Sequence, residues 1–215
     1  MLHFVFLQHV QHVQHVQLLQ LLQLLQLLQL LQLLQLLQLL QLLQLLQLLQ
    51  YKYNIMNITF RTMPVKSDIK RVMEIVESTK FFYDHEVEIA AELVAERLSH
   101  GESTGYYFVF AEEDGVTAAY ACYGPISMSA TCYDLYWIAT HNDYRGKGIG
   151  KKLLQETCNQ AIKMGCKILI AETSGLEHYA PTRAFYINND FILEATLKDF
   201  YTEGDDKLFY TKRIG

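Results

Sequence analysis

Alternating glycines set among cations mark the stretch of this chain best suited to chemistry: Tyr144-Arg145-Gly146-Lys147-Gly148-Ile149-Gly150, followed by Lys151 and Lys152. Glycines at every second position let a backbone approach a ligand without Cβ obstruction and reach positive φ where a turn needs it. Each leaves an N–H free to point inward, beside the unpaired donors and partial positive charge of a helix N-terminus. Arg145, Lys147 and Lys151 add formal charge around the same place, so the chemistry implied is the grip of a di- or polyphosphate. A nucleotide P-loop is excluded because no Ser or Thr follows Lys151 to hold magnesium. The dinucleotide fingerprint is excluded because the glycines are spaced Gly146-x-Gly148-x-Gly150. A glycine string alone is also compatible with a plain turn, so the flanking elements decide.

Before the loop, Tyr133-Asp134-Leu135-Tyr136-Trp137-Ile138-Ala139-Thr140 reads as a buried strand. After it, Ile149, Leu153, Leu154, Thr157, Cys158, Ala161 and Ile162 recur at helical spacing, with Lys151, Lys152, Gln155 and Glu156 opposite. Gly165 ends that helix, and Lys167 to Glu172 reads as another buried strand. A further helix opens at Ala180-Pro181, proline suiting a first helical turn.

This loop between strand and helix resembles the pyrophosphate loop of the GNAT acetyltransferase superfamily, Arg/Gln-x-x-Gly-x-Gly/Ala, matched by Arg145, Gly148 and Gly150. Phe185-Tyr186-Ile187-Asn188-Asn189-Asp190-Phe191 is similar to the superfamily's second familiar stretch, with Asp190 where glycine is usual. Aspartate tolerates left-handed backbone better than most residues, so the helix is expected to end there all the same. The resemblance covers residues 57–213.

It implies acetyl-CoA as co-substrate and an N-acetyltransferase working by direct transfer in a ternary complex, without metal. Carried over residue by residue, the pyrophosphate falls to Arg145, Gly146, Lys147, Gly148, Ile149, Gly150 and Lys151. The main chain of Ile138, Ala139 and Thr140 pairs with the pantetheine arm as a strand would. Tyr186 becomes the acid that protonates the leaving thiolate; against this, the chain has 14 tyrosines, most of which must be packing. Two carboxylates stand as base candidates, Asp134 on the aromatic strand and Glu172 at the end of the next. By two-residue alternation Asp134 should share a face with Tyr136 and Ile138, and its short side chain calls for a bridging water. The turn acids Glu203, Asp205 and Asp206 are further candidates for holding an amine. Trp137 and His141 read as packing and loop residues. The acidic candidates point to a cationic acceptor, a small molecule or a peptide amine. The alternative is an acyl-CoA-binding regulatory domain without turnover.

The whole chain has 215 residues and a net charge of −5, which disfavours a nucleic-acid binder built on a basic face. Cys122, Cys132, Cys158 and Cys166 form no Cys-x-x-Cys pair and read as small buried residues of a reducing, cytoplasmic compartment. Residues 1–50 are another material. His-Val-Gln triplets give way to eleven Leu-Leu-Gln triplets from Leu18 to Gln50, and no formal charge precedes Lys52. Successive glutamines rotate by about 300° on a helix, so they spiral round it and form no polar face. A membrane role is disfavoured: every third residue is Gln, and a helix this long, about 50 Å, overshoots a core of about 30 Å. A secretory signal would want a basic start and a small-residue cleavage site. The reading is a repeat at 1–50 outside the fold, a linker at 51–56, and a working domain at 57–215 starting near Met56.

Within that domain the expected order is a strand at 57–63, helices at 68–80 (capped by Ser67) and 86–99 (stopped by Gly101), and strands at 106–112 and 116–124 joined by Glu113-Asp114-Gly115. The aromatic strand, the loop and its helix, the Ile168 strand and the Tyr186 helix follow. Strands at 191–199 and 207–213, joined by Glu203-Gly204-Asp205-Asp206, close the domain. This is α+β, a mixed, mostly antiparallel sheet of six to seven strands flanked by about four helices, the element order of the GNAT fold. A homodimer through the terminal strands is open.

Overall fold

The structure is a computed structural model that describes the backbone of residues 2–54 and 58–215 and the side chains of 17–49 and 58–215. The chain divides into two units, Met1–Met56 and Asn57–Gly215. The first is one helix, α1 (Leu2–Asn54), which runs through positions 51–54 that composition assigned to a linker. Its leucines from Leu18 to Leu49 are all about half exposed, as a repeat of three on a helix requires: no face is spared. By length and composition alone, Gln17–Leu49 is apolar enough to cross a membrane. The expected chain start at Met56 and the first strand residue, Asn57, lie outside the described residues.

The second unit carries the fold: β1 (Ile58–Arg61), α2 (Ser67–Thr79), α3 (Asp84–His100), β2 (Tyr107–Glu113), β3 (Val116–Pro125), β4 (Cys132–Thr140), α4 (Ile149–Lys163), β5 (Ile168–Ser174), α5 (Ala180–Ile187), β6 (Ile192–Thr202) and β7 (Asp205–Arg213). The seven strands lie in the order β1-β2-β3-β4-β5-β7-β6. All pairings are antiparallel except β4 with β5.

Local chemistry explains most boundaries. Asp114 and Gly115 both take positive φ, 52° and 79°, the tight hairpin that Asp-Gly favours. Ser67 does not cap α2. Asp68, one residue further, accepts the Val65 N–H at 2.7 Å and takes both guanidinium arms of Arg61 at 2.8 and 2.9 Å. A buried carboxylate satisfied three ways is a firmer start than a serine hydroxyl. The helix α3 begins earlier than its apolar spacing suggested because Glu86 reaches back to the Tyr83 N–H at 2.8 Å. Asp190 takes φ 64°, with its N–H on Ile187 O and the Phe191 N–H on Tyr186 O. That is a Schellman ending with aspartate in glycine's place.

The helices α2 and α3 pack Val72, Ile75, Val76 and Val94 against Phe108, Phe110, Tyr120 and Cys122 on one face of the sheet. On the other face lie Tyr123, near Met164 at the end of α4, and Tyr210, 5.7 Å from the Tyr186 ring of α5.

Candidate active site

The cleft at the site opens beside one dislocation in β4. Its register with β3 shifts between Cys122↔Trp137 and Tyr123↔Leu135, which leaves Tyr136 as an extra residue, a β-bulge. A bulge bends the strand that carries it. The pairing of β4 with β5 stops at Asp134↔Ile170, although β4 continues to Thr140 and β5 to Ser174. The two strands part, and among the described residues no strand pairs with the edge of β4 beyond the bulge on that side. Between them opens a cleft of about 800 Å³ whose lining includes Ile138, Ala139, Thr140, Glu172 and Tyr186.

The bulge also corrects an expectation. Residues in register share a face, so Asp134, opposite Gly124, lies with Cys122 and Trp137, whereas Ile138, opposite Ala121, faces the other way. Alternation through a bulge fails by one residue. Trp137 packs on Phe82 with ring centroids 5.0 Å apart but also lines the cleft, its buried indole N–H without a partner among the described residues, and His141 accepts the Asp143 N–H in the following turn.

At the end of β4 the glycine loop behaves as its composition requires. Gly146 and Gly148 take φ 74° and 76°. Among the described residues, the N–H groups of Gly146 to Lys151 meet no protein acceptor. They form a row of free donors at the N-terminus of α4, an anion cradle by geometry. Arg145 lies with its guanidinium 5.2 Å from the Phe81 ring centroid and lines the cleft, as does Lys151. Lys147 departs from expectation. Its ammonium pairs with Glu113 at 3.1 Å and lies over the Tyr144 ring, and its side chain is outside the cleft lining. The opposite charge of Glu113, at the end of β2, holds it there. Gly150 sits against Thr140 and Phe185, where a Cβ would lie 3.4 and 3.5 Å from them.

Tyr186 is buried among Phe191 and Tyr210, centroids 5.3 and 5.7 Å away. Burial pushes its phenol well above the ordinary value, so it stays protonated as a hydrogen-bond donor. No hydrogen bond engages that hydroxyl among the described residues, and the residue lines the cleft.

The two carboxylates lie on the opposite face of the sheet. Glu172 lines the cleft and is ion-paired with Lys207. Asp134 lies behind it on β4, outside the lining, with its carboxyl raised to about 6 by burial first and by Glu172 second, against an opposing pull from Lys207. Among the turn acids, Asp205 is buried in β7, lines the cleft and accepts the Ser174 hydroxyl at 2.5 Å. Asp206 pairs with Lys198 at 2.6 Å, and Glu203 is exposed in the turn. Two features escaped the sequence reading. One is Lys207; the other is the aromatic part of the cleft lining, Phe81, Tyr83, Tyr179 and Tyr201, whose sequence signal is aromatic richness in three separate segments. Among the described residues, no group of three or more His, Cys, Asp or Glu side chains is placed to hold a metal.

Comparison with known proteins places this geometry. Residues 69–188 match the model of the acetyltransferase (GNAT) family. A crystallised GNAT-family protein from Desulfovibrio desulfuricans is 46% identical, covering 74% of this chain and 99% of that one, with a TM-score of 0.72. A ribosomal-protein-alanine N-acetyltransferase from Brucella melitensis is 25% identical over 73% of this chain and 99% of its own, at a TM-score of 0.59. A Salmonella typhimurium protein crystallised with its cofactor acetyl-CoA is 19% identical over 74% and 94%, also at 0.59, a likeness of fold. No curated protein matches.

Proposed function

Because the chain belongs to the acetyltransferase (GNAT) family, we propose that it moves the acetyl group of acetyl-CoA to a primary amine, on a small molecule or a peptide, within a ternary complex. The observation that carries this is the coincidence of a free-amide cradle, an unpaired strand edge and a protonated phenol in one cleft. The amides of Gly146 to Lys151, with Arg145 and Lys151, suit a pyrophosphate. Main-chain groups of Ile138, Ala139 and Thr140 suit an extended amide-bearing arm, added as a strand is added to a sheet.

The arrangement supports a division by face. From the side of α2 and α3, Glu172 attracts the acceptor as an ammonium, and Asp134 takes its proton through a bridging water. The nitrogen lone pair then attacks the thioester carbonyl, whose developing oxyanion meets a β4 N–H. As the C–S bond breaks, Tyr186, coming from the α5 side, gives its proton to the sulfur, and the excess proton on the acylated nitrogen returns through solvent to the phenolate. The aromatic wall and the carboxylates favour a cationic acceptor. The domain at 57–215 does this work, in the cytoplasm, and the repeat at 1–50 stands outside it.

Thiol release from acetyl-CoA with a panel of amines tests the reading. Turnover on at least one amine is expected, with equal rates for the full chain and for 57–215. Tight acetyl-CoA binding without turnover on any amine would mean a binding domain instead.

A further inference from the structure

Asp134, Glu172 and Lys207 lie on one face of the sheet. Asp134 is opposite Ile170 and two residues from the level of Glu172, and Glu172 is diagonal to Lys207, whose partner on β5 is Ser174. Three ionisable groups from β4, β5 and β7 therefore meet where the strands part. Only one pair is closed: Lys207 holds Glu172. Its ammonium is also clamped between two rings, 4.5 Å from the Phe200 centroid and 5.2 Å from that of Phe209, with its side chain 16% exposed. Cation–π contacts on a largely buried ammonium resist a swing toward Asp134.

We infer that Lys207 is a positioning residue that gives the two carboxylates separate duties: paired with it, Glu172 stays an anchor for the acceptor's charge, and Asp134 is left to take the proton. The inference rests on the acetyl-transfer reading. Two neighbouring carboxylates with no cation between them share one proton, and neither has a defined role. A cation committed to one of them breaks that symmetry.

The remaining charged and titratable groups nearby do not compete. Tyr136, on β4, has its phenol pushed up to about 12 by burial first and by Asp134 second, so it stays neutral. Tyr201 of β6, facing Glu172, Asp205 and Glu86, is likewise raised by burial. Asp205 is engaged by Ser174, Glu86 by the Tyr83 N–H, and Asp206 by Lys198.

The test is a carbon-detected NMR titration of the Asp134 carboxyl in the full chain, assigned by its loss in Asp134→Asn. In Lys207→Met, which keeps an unbranched apolar stem between the rings, the midpoint should rise by about one pH unit. In Glu172→Gln it should fall, and Lys207→Arg should return it to the wild-type position. The acidic limb of kcat/KM should move with the midpoint. If Lys207→Met does not fold, Lys207→Gln takes its place. A midpoint unmoved by loss of the lysine charge overturns the inference, whether or not the protein turns over. Failure of every amine in the wild type overturns acetyl transfer and the duty given to Asp134, while the titration still decides whether Lys207 governs that carboxyl.

Discussion

Replacing Tyr186 by phenylalanine separates packing from chemistry at one atom. The ring contacts with Phe185, Phe191 and Tyr210, at 5.9, 5.3 and 5.7 Å, survive the change. The hydroxyl has no hydrogen-bond partner among the described residues, so its removal strands no donor or acceptor. Stability should shift by less than about 1 kcal/mol, in either direction. Catalysis should respond differently. A positioned general acid contributes about 10²- to 10⁴-fold, and a thiolate, with a conjugate acid near pKa ~8.5, is a fair leaving group that needs only the low end. The expected loss in kcat is therefore about 100-fold, or ~2.7 kcal/mol of barrier. Burial keeps the wild-type phenol protonated through the neutral range, so the ratio of wild type to variant should stay flat from about pH 6 to 9. The assay is CoA thiol release under saturating acetyl-CoA, with acetyl-CoA affinity and the thermal midpoint measured alongside. A variant that folds, binds and turns over at the wild-type rate would refute the acid assignment. One that loses acetyl-CoA binding would show that Tyr186 shapes the cleft rather than protonates sulfur.

The loop glycines and Asp134 carry the remaining outcomes. Gly148 has φ 76° with nothing within 4 Å of an added Cβ, so Gly148→Ala acts through torsion alone. It should cost about 1–2 kcal/mol of stability and weaken acetyl-CoA binding at least ~10-fold as the loop amides turn away. Gly150→Ala meets Thr140 and Phe185 at ordinary contact distances of 3.4 and 3.5 Å in a helical turn, so calorimetry should find its binding retained; equal losses at both positions would contradict the cradle. For Asp134, with its carboxyl at about 6, kcat/KM should fall with decreasing pH below that value, as the base becomes protonated. Its contribution to stability runs in the opposite sense. A carboxyl raised on folding binds its proton more tightly in the native state, so that contribution is present below the unfolded value near 3.8 and is lost as pH rises through about 6. Asp134→Asn should flatten both dependences, and a persisting acidic limb would assign the base elsewhere.

The legible parts of this protein were those decided within a few residues. Gly146, Gly148 and Gly150 among cations specify a glycine-rich strand-to-helix turn because positive φ and missing Cβ atoms are local properties. Asp114-Gly115 specifies a hairpin, and Asp190 ends α5 in left-handed backbone because a short polar side chain tolerates it. Apolar periodicity marked the elements well enough to give their order, missing helix starts where side chains several residues away, such as Asp68 and Glu86, supply the caps. What the sequence leaves open depends on register between distant strands. The extra residue at Tyr136 reverses the facing of Ile138 relative to Asp134, and only the pairing with β3 reveals it. The insertion of β7 between β5 and β6 sets Lys207 beside Glu172, which no reading of chain order could place there. Lys147, one of three cations expected at the phosphate, is drawn off by Glu113 from a strand 34 residues away in sequence. Local backbone chemistry thus determined where free amides gather at a helix start; long-range pairing, whose partners are chosen by the packed sheet, decided which charged groups stand beside the cleft.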